Sequence, residues 1–171
     1  MLYACAWTLS RRYRNEHDMS YSLADLLSVS ISVFYLLPII LYAVTGELFH
    51  LIVWIGYLLL VVGSEQIKHH VIGTRSPRPP GARDCNLWCN NGPQAGRPGM
   101  PSTHAAKAMY LSLLYGMHPW IKERPIARLL LFVYAAAVIY SRYEKRCHTP
   151  IQLLTGGLLG SAAAATVMRF I

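Results

Sequence analysis

Two apolar stretches, from about Tyr21 to Val44 and from about Glu47 to Ile72, decide what this chain can fold into. Roughly 20 apolar residues in a helix cross the hydrocarbon of a bilayer, and there the backbone must satisfy its own hydrogen bonds. Both stretches therefore read as membrane helices. A third of similar length runs from about Pro150 to Phe170. Two shorter ones, from about Ser102 to Met117 and from about Ile126 to Tyr140, depend on packing against neighbours, which Gly and Ala in the last two segments permit. The composition agrees: 54% of the 171 residues are hydrophobic and only 14% charged, against roughly 25% charged in soluble domains. The expected fold is a single-domain, all-α integral membrane bundle of about five transmembrane helices. Residues 1–20 form an N-terminal interfacial segment, and 21–171 the membrane domain with a polar loop over 73–101.

The net charge of +8 does not make a nucleic-acid surface. Its Lys and Arg fall between helices (Lys68 to Arg97, Lys122 to Arg128, Arg142 to Arg146) and at Arg11, Arg12 and Arg14. Membrane proteins place basic residues there, and anionic lipid or phosphate is their natural partner. The expected partners are the lipid bilayer and a lipid phosphate, with no nucleic acid. Cys5, Cys85, Cys89 and Cys147 form no Cys-x2-Cys pair; Cys85 and Cys89 are placed to pair if their loop faces an oxidising lumen. His69 and His70 with those two cysteines fit no standard zinc spacing, and no acidic cluster offers itself to Mg²⁺. No metal or cofactor is expected.

Counting crossings brings distant residues together. If five segments span, the end of the second, the start of the third, the end of the fourth and the start of the fifth share one membrane face. Lys68, the polar loop, Pro101-Ser102-Thr103-His104, Ser141-Arg142 and His148 all meet there. A lysine as deep as Lys68, one turn after Glu65, is usually paired or functional. Arg75 and Arg78 carry guanidinium forks suited to phosphate oxygens. Pro101 to His104 opens a helix whose free amides favour an anion, and puts a histidine in that first turn. His148 precedes Thr149-Pro150, where Thr149 caps the last helix. Gln152, three residues on, either completes a capping box or orients His148. Two imidazoles among fixed cations suit phosphoryl transfer: one attacks phosphorus, the other serves the leaving oxygen, and the cations stabilise the transition state.

These elements resemble the tripartite signature of the type 2 phosphatidic acid phosphatase superfamily, which includes lipid phosphatases, glucose-6-phosphatase and vanadium haloperoxidases. That signature reads Lys-x6-Arg-Pro, then Pro-Ser-Gly-His, then Ser-Arg-x5-His-x3-Asp. Here Thr103 stands for the glycine and Gln152 for the aspartate. Gly-Met-Pro-Ser-x-His and His-Thr-x-x-Gln are similar to the dolichyl diphosphatase branch. The resemblance implies a membrane hydrolase acting on a polyprenyl diphosphate without metal. His148 would be the nucleophile, His104 the general acid and then base, and Gln152 the residue orienting His148. Lys68, Ser102, Thr103, Ser141 and Arg142 would hold the phosphoryl oxygens. In the first motif Arg75 has the spacing and Arg78 the following proline, so either is the motif arginine, with Arg78 favoured. A broader phosphatase acting on phosphatidic acid, or a silent scaffold of the same fold, are the alternative readings. The resemblance implies an endoplasmic reticulum or other endomembrane location in a eukaryotic host. Its lumenal active site is opposed by Arg11, Arg12 and Arg14, which share the catalytic face and favour the cytoplasm.

Overall fold

The computed structural model describes residues 22–171. The interfacial segment expected over 1–20, with Cys5 and the three N-terminal arginines, lies outside these. Helix α1 (Leu23–Val33) starts at a capping box in which Ser22 accepts from the Asp25 amide and Asp25 accepts from the Ser22 amide. Pro38 cannot donate a helical hydrogen bond. Around it the first span changes to a 3-10 turn at Phe34–Leu36 before continuing as α2 (Leu37–Thr45). Gly46 ends α2 in the left-handed region, φ 72°. Helix α3 (Leu48–Gln66) continues into a wider π-helical turn over Ile67–Ile72 and a 3-10 turn at Gly73–Arg75. After the loop come α4 (Thr103–Met117), the short α5 (Pro119–Lys122), α6 (Pro125–Glu144) and α7 (Pro150–Val167). Among the described residues there is no β-strand.

Among the described residues, four helical segments are long and apolar enough to cross a membrane: 23–45, 48–75, 125–144 and 150–167. The expected third span, α4, differs in kind. Its 15 residues rise only about 22 Å, short of the ~30 Å hydrocarbon layer, and 11 of them are buried. It forms the axis of the bundle, packed against α7, α6 and α3. That explains a helix that is polar at one end yet buried: its surroundings are protein instead of lipid. Ile40, Val44, Leu59, Val62, Leu129, Val133, Leu154 and Leu158 stay exposed on the outer helices and supply the lipid-facing surface.

Small residues set the spacing between α4 and α7. A Cβ on Gly156 would strike the backbone of Ser102, and one on Gly160 the backbone of Ala106. The core between the helices holds Ile31, Val53, Tyr57, Tyr110, Leu114 and Val138. The Tyr110 hydroxyl donates to the Val53 carbonyl at 3.0 Å, so this buried phenol is satisfied. Helix α6 runs four residues past the expected Tyr140, so Ser141 and Arg142 face inward from its last turn. The ends of α3 and α6 and the starts of α4 and α7 gather at one end of the bundle, and an ion pair between Lys145 and Asp25 joins α1 to α6 there.

Candidate active site

Lys68 sits on the π-helical turn after α3 and is only 4% exposed. Such turns recur at functional sites because they re-aim a side chain. Its Nζ donates to Glu65 Oε1 at 2.5 Å and to Thr103 Oγ1 at 2.8 Å, and Thr103 Oγ1 donates to the same carboxylate oxygen at 2.6 Å. Thr103 thus adds a hydroxyl link between the end of α3 and the start of α4, which a glycine could not. Ser102 is fully buried and caps α4 through the Ala105 amide, so its hydroxyl serves the helix.

The helix extension decides between the two arginines. The chain stays helical through Arg75, which carries that side chain out to solvent. Only after Ser76 does it turn inward, where the Arg78 amide donates to the Arg97 carbonyl at 2.8 Å and the Gly99 amide to the Ser76 carbonyl at 3.0 Å. Arg78 Nη1 then donates to the Cys147 carbonyl at 3.2 Å and lies 3.4 Å from His148 Nε2. Arg78 lines the cavity, whereas Arg75 is exposed and lies outside it.

His148 is 2% exposed. Its Nδ1 lies 2.9 Å from the Gly99 carbonyl oxygen. A carbonyl only accepts, so Nδ1 carries the proton and Nε2 holds the lone pair, turned toward Arg78. Burial, reinforced by the charges of Arg78, Arg142 and Lys68, pushes the imidazole pKa well below its ordinary value; the Gly99 bond opposes this in part. The ring is thus kept neutral with Nε2 as its free base.

Gln152 makes no hydrogen bond to His148, which corrects the expectation that it orients the ring directly. Its Oε1 accepts from the Thr149 amide at 3.1 Å, completing the capping box. Its Nε2 donates to the Ser76 carbonyl at 3.2 Å, to Ser76 Oγ at 3.1 Å and to the Pro77 carbonyl at 2.9 Å. Gln152 also packs beneath Gly99, where an added Cβ would lie 2.7 Å from its amide atoms. It therefore supports the residue whose carbonyl holds His148.

Arg142 is fully buried. Its Nη1 donates to Ser28 Oγ at 2.8 Å and its Nη2 to the Cys85 carbonyl at 2.6 Å. Ser141 lies 3.2 Å from the same Ser28 hydroxyl and donates to the Val138 carbonyl at 2.7 Å. Ser141 is accordingly a support for Arg142 and does not face the cavity as a phosphate ligand. Cys85 pairs with Cys147, not with Cys89, which is free. Arg146 adopts φ 53° and ends α6, and the next residue, Cys147, enters the loop beside Cys85. The disulfide fastens the loop to the residue preceding His148.

Lys68, Arg78, Thr103, His104, Lys107 and His148 line a cavity of about 470 Å³, with Glu65, Arg97 and loop residues completing it; Arg142 stands behind the Cys85 wall. His104 Nε2, Arg78 Nε and Arg142 Nε are buried with no hydrogen-bond partner. Buried polar nitrogens without partners are costly and uncommon, and Arg78 and His104, which carry two of these three, line this basic cavity, an arrangement that suits an anion. Glu65 was visible in the sequence only as a neighbour of Lys68. Lys107 was not foreseen at all; its place one turn after His104 on a buried helix was the signal.

A family profile described as the PAP2 superfamily matches residues 47–171. The chain belongs to the PAP2 superfamily. No curated protein and no solved structure matches it at a significant level. PAP2 membership implies hydrolysis of phosphate esters, and the apolar helices make this a membrane phosphatase. The matched span includes every residue of the cavity and begins where α3 begins, so α1 and α2 stand outside it. Yet α1 supplies Ser28 to Arg142.

Proposed function

We propose that this PAP2 protein hydrolyses a polyprenyl diphosphate of dolichyl type through a phosphohistidine on His148. The observation that carries the reading is the pair of partnerless buried nitrogens on cavity-lining residues, His104 Nε2 and Arg78 Nε, beside the unprotonated Nε2 of His148. In the first step the Nε2 lone pair attacks the terminal phosphorus. The bond to the bridging oxygen breaks, and His104 delivers a proton to the departing lipid monophosphate. In the second step His104 takes a proton from water as the water oxygen attacks phosphorus. The phosphorus–nitrogen bond breaks, and phosphate leaves. Lys68 and Arg78 stabilise the charge on the equatorial oxygens, and Arg142 adds its positive charge from behind the Cys85 wall.

The balance of charge supports a diphosphate over a monoester. Lys68, Arg78, Arg97 and Lys107 line the cavity against the single carboxylate of Glu65. That excess suits two adjacent phosphate groups better than one. The experiment is a substrate panel on protein purified in detergent: isoprenyl diphosphate, isoprenyl monophosphate and phosphatidic acid, with no added metal. The diphosphate should give the highest kcat/KM, vanadate should inhibit, and His148→Ala should abolish phosphate release. Preference for phosphatidic acid would overturn the substrate, and undiminished release by His148→Ala would overturn the mechanism.

A further inference from the structure

The opposite end of the bundle carries a second cluster of polar side chains that the phosphatase chemistry does not use. Glu47 precedes α3, His50 lies in its first turn, and His118 follows α4. Eighteen residues of helix separate His50 from Lys68, about 27 Å, so this cluster sits at the other membrane face. Glu47 Oε2 lies 3.1 Å from His118 Nε2 and 3.6 Å from His50 Nε2. Donor atoms of all three residues lie within 4.8 Å of one another.

We infer that Glu47, His50 and His118 form a binding site for a divalent metal of the zinc type. Two imidazoles and a carboxylate are a donor set Zn²⁺ accepts, with a fourth position left for water. At metal–ligand distances of about 2.0–2.1 Å, the edges of a tetrahedron are roughly 3.3–3.4 Å long; the two separations from Glu47 bracket that length. A hydrogen bond explains the His118 separation equally well. It does not explain His50, whose Nε2 is beyond hydrogen-bond length from the carboxylate yet faces it. The other ring nitrogen, Nδ1, is held by the Tyr115 hydroxyl at 3.2 Å, the kind of outer bond that fixes the orientation of a metal-binding histidine. His50 is 5% exposed, whereas Glu47 is open to solvent, which gives an ion a way in. Phe49 packs against His118 with ring centroids 4.5 Å apart and walls one side. The metal would clasp the start of α3 to the end of α4, tying the central helix at the end remote from the phosphate cavity.

The test uses full-length protein without a histidine tag, stripped with chelator and titrated with Zn²⁺ or Co²⁺ in detergent. Wild type should bind one equivalent, show the visible bands of tetrahedral Co²⁺, and melt at a higher temperature with Zn²⁺. Glu47→Gln and His118→Ala should each lose the equivalent and the thermal shift, and Tyr115→Phe should weaken binding roughly tenfold. Phosphate release by His118→Ala should remain at the wild-type level, which establishes that the variant folds. His148→Ala should keep the zinc equivalent. Zinc bound equally by wild type and His118→Ala, or lost in His148→Ala instead, would overturn the inference, as would a wild type that binds none.

Discussion

The aspartate that the family places at position 152 should impair this protein. Gln152 is 1% exposed, and its Nε2 serves three oxygens of Ser76 and Pro77 between 2.9 and 3.2 Å. Aspartate is one methylene shorter and, when ionised, only accepts hydrogen bonds. It would point a carboxylate at two carbonyl oxygens, of which the Ser76 carbonyl keeps the Gly99 amide as a donor and the Pro77 carbonyl loses the donor that Nε2 supplied. An NH2 group donates two hydrogen bonds; losing them at about 1 kcal/mol each, with a further 1–3 kcal/mol for the Pro77 carbonyl, gives a destabilisation of about 3–5 kcal/mol. At 2–4 °C per kcal/mol for a chain of this size, the melting temperature should fall by roughly 10 °C. Gln152→Ala removes the same donors without adding a charge, so it should lie between wild type and Gln152→Asp. Because Gln152 reaches His148 only through Gly99, turnover should fall by roughly tenfold to a hundredfold, as expected for a displaced nucleophile. Thermal unfolding in detergent and steady-state phosphate release read the two effects separately. If Gln152→Asp turns over faster than wild type without loss of stability, residue 152 acts on His148 directly and the support role assigned to it is wrong.

Three further outcomes follow from the same geometry. Arg78→Ala should lower kcat/KM by about a hundredfold, the loss of a charge-assisted phosphate contact, while Arg75→Ala should change it by less than about twofold because that side chain is in solvent; the same phosphate-release assay checks both. His148 must be neutral to attack, and its pKa is depressed by burial and neighbouring cations, so the acid limb of kcat/KM should lie below the ordinary histidine value of about 6.5 and move upward in Arg78→Gln. The same depression means that His148 contributes stability above about pH 6.5 which is lost as pH falls toward its folded pKa, a slope that His148→Gln should flatten in pH-dependent melting curves. Peptide mapping without reductant should recover Cys85 joined to Cys147 with Cys89 alkylated, and Cys85→Ser should destabilise by about 4 kcal/mol, the loop-closure value for a separation of 62 residues.

The helices and the two histidines were legible because both depend on short-range rules. Apolar length marks a span, and Pro101 with Ser102, or Thr149 with Pro150, marks a helix start, so His104 and His148 fall at known ends of known helices. Counting crossings then places those ends on one face without any tertiary information. What the sequence hid depends on how the polar loop folds. The choice of Arg78 over Arg75 rests on a π-helical turn that no periodicity announces. The partner of Cys85 rests on the bend at Arg146, and the partners of Gln152 on where Ser76 and Pro77 come to lie. Each joins residues more than sixty positions apart. The depth of α4 was hidden for another reason: its fifteen residues look like a marginal span until the other helices are seen around it.

The two departures from the family signature belong together with the looseness of its first motif. Here that motif is stretched by three residues between Lys68 and the arginine followed by proline, and the added length must be held in place. Thr103, standing for glycine, bonds Lys68 at the start of the stretch. Gln152, standing for aspartate, bonds Ser76 and Pro77 at its end. Each replacement supplies a side-chain hydrogen-bonding group directed at the lengthened segment, and neither group touches His148. The contact that holds His148 Nδ1 is instead the Gly99 carbonyl, a poorer partner for an imidazolium than a carboxylate, and burial with the neighbouring cations keeps the ring neutral. A neutral imidazole suits attack on phosphorus. On the proposed mechanism, the exchange of aspartate for glutamine keeps His148 competent to attack while freeing position 152 to anchor the loop that carries Arg78.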